Sequence, residues 1–213
     1  MTCRVVQPLA LLVLLVLLAP CAELSAQPRS DADRYDDVFR KATKRHFGPA
    51  FDWRLFKAQG MAESNIDAAA RSHVGARGVM QLMPGTFREV ASKNPELTRI
   101  DDAASNIMAG VAYDRRLWEA WARDSVETDR LPFTLASYNA GRGTLLAAQR
   151  TARTSSLDPR TWANIERVAP TVPRWRHAET LGYVRRIAQL HGQLDDRGRV
   201  MNGTTSARGR RAR

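Results

Sequence analysis

Residues 53–86 read WRLFKAQGMAESNIDAAARSHVGARGVMQLMPGT, and this stretch decides how the rest of the chain must be arranged. Its first part carries apolar side chains at helical spacing, and Asp52 precedes it as a favourable N-cap. Glu63 is the only carboxylate of this helix and lies near its end. The following glycine-containing segment lacks helical periodicity, which predicts a small hairpin or irregular β arm beside the helix.

The apolar setting of Glu63 predicts unusual acid–base chemistry. Burial among apolar groups disfavours the charged form of a carboxyl and raises its pKa. A carboxylic acid that stays protonated near neutral pH can act as a general acid. The alternative is an ordinary, solvated glutamate at a helix end. Ser64, Asn65 and Gln81, together with the glycines of the arm, favour a functional site.

The remainder of the chain predicts a mostly α protein with six to eight helices around one core. Helical spacing or capping signals place the further helices at residues 36–47, 86–93, 103–121, 133–139, 143–150, 160–168 and 178–191. Gly60 stands inside the helix of Glu63, where a glycine costs ~1 kcal/mol relative to alanine. Its presence indicates close approach of another element or of a ligand.

The first residues are typical of a secretory signal peptide. Arg4 precedes a wholly apolar run at residues 9–19, which is shorter than the ~20 residues that span a bilayer. Cleavage after Ala26 would remove Cys3 and Cys21, the only cysteines, so the exported fold would have no disulfide. Alternatively, the sequence LAPC at residues 18–21 resembles a lipobox that would make Cys21 a lipidated N-terminus. Pro20 departs from that pattern.

The composition predicts four segments and a basic tail. We expect a signal peptide at residues 1–26, a polar linker at 27–37, a folded domain at 38–194 and a disordered tail at 195–213. The net charge is +11, and residues 197–213 contain six arginines and no acids. Because an exported chain does not meet the genome, an anionic envelope surface is the expected partner of this tail, and no nucleic-acid partner is expected.

Five segments of the chain carry a resemblance to a known family. They are AQGMAESN at residues 58–65, GARGVMQLMP at 75–84, NIMAGVAY at 106–113, ASYNAG at 136–141 and ETLGYV at 179–184. In this order they resemble the lysozyme-like lytic transglycosylase family of bacterial cell-wall enzymes. The resemblance extends from residue 53 to about residue 190, which is most of the chain.

The resemblance implies a fold and a set of site residues. The fold would be a mostly α, lysozyme-like single domain with a small irregular β arm beside the active-site cleft. Glu63 would be the lone catalytic acid and base, with the Tyr138 hydroxyl orienting its carboxyl and Asn139 beside it. The other residues implied to bind substrate, around the muramic acid sugar or deeper in the groove, are Ser72, Gln81, Met83 and Glu179.

The resemblance also implies a reaction. Glu63 would cleave the β-1,4 bond between N-acetylmuramic acid and N-acetylglucosamine of peptidoglycan strands and leave 1,6-anhydro ends. No cofactor is implied, and no spacing of His, Cys or Asp indicates a metal site. Export of the enzyme to the periplasm or cell envelope would allow contact with secretion or division machinery.

Two other functions stay open at this point. A lysozyme-type hydrolase would need a second carboxylate, and Asp67, four residues after Glu63, is a candidate. Asp67 lies beyond the predicted helix end, so a solvated turn aspartate is the favoured interpretation. The other alternative is a peptidoglycan-binding or assembly module that keeps the fold without catalysis, and the presence of Glu63 argues against it.

Overall fold

The computed structural model describes residues 33–201. The expected signal peptide, the lipidation of Cys21 and the last part of the basic tail lie outside these residues. The eight α-helices of the described part are α1 (Asp36–Phe47), α2 (Arg54–Ser64), α3 (Pro84–Ala91), α4 (Ala103–Arg123), α5 (Arg130–Ala140), α6 (Arg142–Thr154), α7 (Trp162–Val168) and α8 (His177–Gly192). No helix in this range is both long enough and apolar enough to cross a membrane.

The predicted fold class is confirmed. The chain is mostly helical, and each predicted helix is present with ends displaced by a few residues. The N-cap of α2 is Trp53 and not Asp52. Asp52 still supports the start of the helix, because its Oδ1 accepts a hydrogen bond of 3.0 Å from the backbone of Arg54. The arm after α2 contains only isolated bridges between the described residues, which pair Arg77 with Arg71 and with Leu82.

The helix α2 lies between two apolar clusters. One face contributes Leu55 and Ala58 to the cluster formed with α5, α6, α7 and α8. The other contributes Phe56 to the cluster formed with α1, the arm, α3 and α4. Gly60 permits this position, because a Cβ atom there would lie 3.0 Å from Phe39 and 3.2 Å from Val79. The glycine therefore lets α1 and the arm approach the helix.

The end of α2 directs the chain into the arm. Asn65 has a left-handed backbone with φ of 55°, and its N–H donates to the carbonyl of Met61. Left-handed caps of this kind satisfy the last carbonyls of a helix and turn the chain sharply. Ser64 then fastens the arm to the helix end, because its hydroxyl donates to the carbonyl of Val79 at 2.9 Å.

The side chain of Asn106 in α4 holds the arm by hydrogen bonds. Its Oδ1 accepts from the N–H of Met80 at 2.8 Å, and its Nδ2 donates to the carbonyls of Arg77 and Ile100 at 2.9 and 3.0 Å. Gly78 is required directly above it, since φ there is +74° and a Cβ atom would lie 2.6 Å from the amide nitrogen. The conformation of the arm is therefore determined by a buried amide on a distant helix.

Residues on both sides of the predicted domain contact it. Lys57 has no exposed side-chain surface, and its Nζ lies 2.7 Å from each of Asp33, Asp36 and the carbonyl of Gly198. Asp33 and Asp36 of the predicted linker and Gly198 of the predicted tail therefore contact the domain, and the predicted bounds of the four segments stay a prediction. A buried ammonium needs anionic and carbonyl partners, and the two chain ends supply them.

Trp53, the N-cap of α2, packs against the C-terminal segment. Gly198 leaves room for the tryptophan ring, because a Cβ atom at that glycine would lie 2.2 Å from it. The guanidinium of Arg40 lies over the same ring at 4.0 Å. Trp53 therefore fixes the C-terminal segment to the start of α2, at the opposite end of the helix from the acid.

Candidate active site

Glu63 lies in the last turn of α2 and is joined to α8 by one hydrogen bond. The hydroxyl of Tyr183 donates to Glu63 Oε1 at 2.5 Å. Burial raises the pKa of Glu63 to about 7, although the hydrogen bond from Tyr183 opposes the rise. Because the desolvation of the carboxylate outweighs the single hydrogen bond, the carboxyl is partly protonated at neutral pH and can serve as both acid and base.

The prediction that the Tyr138 hydroxyl orients the Glu63 carboxyl is wrong. Its hydroxyl donates to the carbonyl of Met80 at 2.8 Å, and its ring packs on Tyr113 with centroids 5.3 Å apart. The hydroxyl turns to the arm because Asn106 fixes the Met80 peptide from the other side. Tyr138 still interacts electrostatically with Glu63, and burial raises the pKa of its hydroxyl well above the usual value. The tyrosine that orients the acid is Tyr183.

Ser72 and Gln81 both shape the arm. The hydroxyl of Ser72 accepts from the N–H of Ala76 at 2.9 Å. The side-chain amide of Gln81 donates to the carbonyl of Gly78 at 2.9 Å, and its own backbone has φ of 43°. Met83 precedes α3 and is 43% exposed. Contacts of these three residues with a sugar stay a prediction.

Asn139 and Glu179 are both exposed. Asn139 lies near the end of α5, directly after Tyr138. Glu179 is not deep in a groove, because it lies in the first turn of α8 and pairs with Arg176 at 2.8 Å. An acid in that position is stabilised by the helix dipole. Binding of substrate by these two residues stays a prediction.

Asp114 and Gln59 are polar residues of the site region that the sequence interpretation missed. Both are fully buried, and Gln59 Nε2 lies 3.5 Å from Asp114 Oδ1. Burial raises the pKa of Asp114 well above its usual value, and the nearby Glu63 raises it further. A signal was present in the sequence, because Asp114 takes a place in the buried stripe of α4 between Val111 and Leu117.

Asp67 is exposed and acts as a turn residue, since its Oδ1 accepts from the N–H of Ala69 at 2.8 Å. His191 is half-buried, and its Nε2 lies 2.8 Å from Asp52 Oδ2 before the start of α2. Within residues 33–201, no group of three His, Cys, Asp or Glu side chains is placed to hold a metal ion.

A model of one protein family matches this chain. It is described as the transglycosylase SLT domain and matches residues 38–159, more than half of the sequence. This match contains Glu63, the arm, α4 and α5, and ends before α8.

Curated relatives carry related names. The chain is 36% identical to membrane-bound lytic murein transglycosylase F of Desulfosudis oleivorans, over 71% of this chain and 32% of that protein. It is 33% identical to the protein of the same name from Vibrio cholerae, over 68% of this chain and 25% of that protein. The chain thus spans between a quarter and a third of the length of these relatives.

Solved structures share the fold. The 70 kDa soluble lytic transglycosylase of Escherichia coli superposes with a TM-score of 0.54 and 25% identity, over 72% of this chain and 22% of that one. The complex of the 70 kDa soluble lytic transglycosylase with bulgecin A gives a TM-score of 0.55 and 24% identity, over 74% and 23%.

Proposed function

Because this chain belongs to the family of transglycosylase SLT domains, we propose that it is a peptidoglycan lytic transglycosylase. It cleaves the β-1,4 bond between N-acetylmuramic acid and N-acetylglucosamine and leaves 1,6-anhydro-muramic acid ends. The observation that carries the proposal is Glu63, a carboxyl with a pKa of about 7 and one tyrosine donor. Within residues 33–201, the carboxyl that interacts with it is Asp114, which has no exposed surface.

The arrangement of carboxyl groups supports a transglycosylase over a hydrolase. A two-acid glycosidase needs both groups to face the sugar, about 5–9.5 Å apart. Asp114 is fully buried and cannot contact a sugar, while Asp67 lies in an exposed turn beyond α2. A reaction in which the substrate supplies its own nucleophile needs only one acid, and Glu63 can supply it.

Glu63 is protonated both before and after the proposed reaction. Glu63 donates a proton to the glycosidic oxygen as the bond to the anomeric carbon breaks, and the acetamido oxygen of muramic acid bonds to that carbon. The Glu63 carboxylate then takes the proton of the muramic acid 6-hydroxyl, whose oxygen displaces the acetamido oxygen. Tyr183 holds Oε1 in both steps, which leaves Oε2 to exchange the proton.

We assign substrate contacts to the exposed or half-exposed residues around this acid. The residues that we expect to contact the glycan strand are Ser72, Gln81, Met83, Tyr138, Asn139 and Glu179.

Product analysis tests the proposal. Purified protein incubated with murein sacculi should release 1,6-anhydro muropeptides, identified by mass spectrometry, and Glu63→Gln should release none while still binding sacculi. Products with reducing ends would instead establish a lysozyme-type hydrolase. Wild type and variant that bind equally and release nothing would establish a binding module and overturn the proposal.

Export to the periplasm or cell envelope is part of the same proposal. Its support is the apolar leader of the sequence and the polymer on which the enzyme would act. The arginines from residue 197 onward would contact anionic envelope surfaces, and secretion or division machinery would be a partner. Cell fractionation tests the location, and Cys21→Ala that fractionates unchanged with no incorporated palmitate would exclude a lipid anchor.

A further inference from the structure

A buried polar pair joins the helix of the candidate acid to α4. Gln59 of α2 and Asp114 of α4 have no exposed surface, and Gln59 Nε2 lies 3.5 Å from Asp114 Oδ1. The other two polar atoms of the pair, Gln59 Oε1 and Asp114 Oδ2, have no hydrogen-bond partner among the described residues. Buried polar atoms without partners are rare, and each requires an explanation.

The two unpartnered atoms are complementary when Asp114 carries a proton. A neutral carboxylic acid accepts at one oxygen and donates from the other. Asp114 can then accept from Gln59 Nε2 and donate to Gln59 Oε1, which satisfies both ends of the amide. Asp114 forms no salt bridge within residues 33–201, and burial raises its pKa well above the usual value, so the neutral form is the one expected.

The position of Gln59 on α2 gives this pair its importance. Gln59 precedes Glu63 by four residues, so the two side chains project from the same face of the helix. An amide at this spacing can donate to the carboxylate one turn later. Such a bond would stabilise the charged form of Glu63 and lower its pKa.

We propose that Asp114 is a positioning residue for the acid: as a neutral carboxyl group it holds the Gln59 amide against α4 and away from Glu63. Tyr183 of α8 is then the side chain that donates to Glu63. The titratable groups that interact with Glu63 are Tyr183, Tyr138 of α5 and Asp114 itself. The proposal deepens the function assigned above, because it explains how Glu63 keeps a proton to donate.

The experiment measures the pKa of Glu63 directly by carbon-13 NMR of protein labelled at the glutamate carboxyl, with Glu63→Gln to assign the signal. In wild type the titration midpoint is expected at about 7. Asp114→Leu frees the amide, and the midpoint should fall by about one pH unit or more, as one hydrogen bond to a carboxylate implies. The high-pH limb of the activity profile should move down with it.

Two further variants separate positioning from simple loss of packing. The double variant Gln59→Leu with Asp114→Leu removes the amide and its holder together, and the midpoint should return to the wild-type value. Asp114→Asn keeps one acceptor and one donor, so it should also retain that value. A midpoint that is unmoved in Asp114→Leu, or that stays low in the double variant, overturns the proposal.

If these variants fail to fold, a measurement on the wild-type protein still tests the proposal. Carbon-13 labelling at aspartate should show the Asp114 carboxyl protonated at pH 7, and an ionised signal there overturns the proposal. These titrations do not depend on turnover. Correct titrations from a protein that releases no anhydro muropeptides would refute the proposed function and leave the positioning role of Asp114 standing.

Discussion

Wild type should lose stability as the pH rises through the range in which Glu63 titrates, and the Glu63→Gln variant should not. In the folded protein burial raises the pKa of Glu63 to about 7, compared with the ordinary value of 4.5 that applies to the unfolded chain. Between these values the folded state holds a proton that the unfolded state has lost. Wild type therefore loses stability as the pH rises from below 4.5 to above 7, and the glutamine variant does not share this loss.

The size of the effect follows from the two pKa values. A difference between about 7 and 4.5, at about 1.4 kcal/mol per pH unit, amounts to ~3.5 kcal/mol, of which ~3 kcal/mol falls between pH 4 and pH 8. Glu63 is only partly exposed, and solvent screening does not remove an effect of this size. Relative to wild type, Glu63→Gln should therefore gain ~3 kcal/mol in the free energy of unfolding between pH 4 and pH 8.

Urea unfolding followed by tryptophan fluorescence at a series of pH values measures this difference. Glu89→Gln is the matched control, because Glu89 is exposed and its hydrogen bond to Arg116 lowers its pKa. A lowered pKa gives stability above the unfolded value that is lost as the pH falls, so the control should change with the opposite sign. Parallel curves for wild type and Glu63→Gln across this range would refute the raised pKa of Glu63 and the acid role that rests on it.

Three further substitutions test the geometry around the acid. Tyr183→Phe removes the hydrogen bond that lowers the Glu63 pKa. The high-pH limb of the pH profile of muropeptide release should therefore move up by about one pH unit, while kcat falls. A limb that does not move would contradict the role of Tyr183. Gly78→Ala should lower the melting temperature and the activity, because φ is +74° there, whereas Gly85→Ala in open space is the control that should change neither. Lys57→Met should destabilise the fold by ~3–5 kcal/mol in urea unfolding, because its two half-buried aspartate partners lose their cation. Equal stability would show that these carboxyl groups are protonated.

Carboxyl groups at the two ends of α2 illustrate how surroundings set acid–base behaviour. At the start of the helix, burial favours the neutral form of Asp52, but hydrogen bonds from Arg54 and His191 prevail and lower its pKa to about 2. At the end of the helix, Glu63 has one neutral hydroxyl donor and a pKa of about 7. A carboxylate that is charged at neutral pH therefore precedes α2, whereas the acid in its last turn can give up its proton there.

The helices and the acid followed from local sequence. Apolar spacing, caps and prolines determine backbone conformation over a few residues, which is why α1 and α8 begin and end close to their predicted residues. The glycines of the arm predicted a break in helical periodicity for the same reason, but the contact that excludes a Cβ atom at Gly78 comes from Asn106 of the distant α4. The apolar neighbours of Glu63 within its own helix were enough to predict a raised pKa.

Only the tertiary structure decided which side chains meet Glu63. Tyr183 lies 120 residues away and reaches the acid because α8 packs on α2, whereas Tyr138 turns to a carbonyl of the arm. The packing of α4 likewise decided that Asp114 is the buried partner of Gln59, although an aspartate at an apolar position of the sequence already indicated an unusual residue. Sequence patterns report what each segment prefers by itself, but a hydrogen bond between distant helices depends on how all of their side chains fill one core.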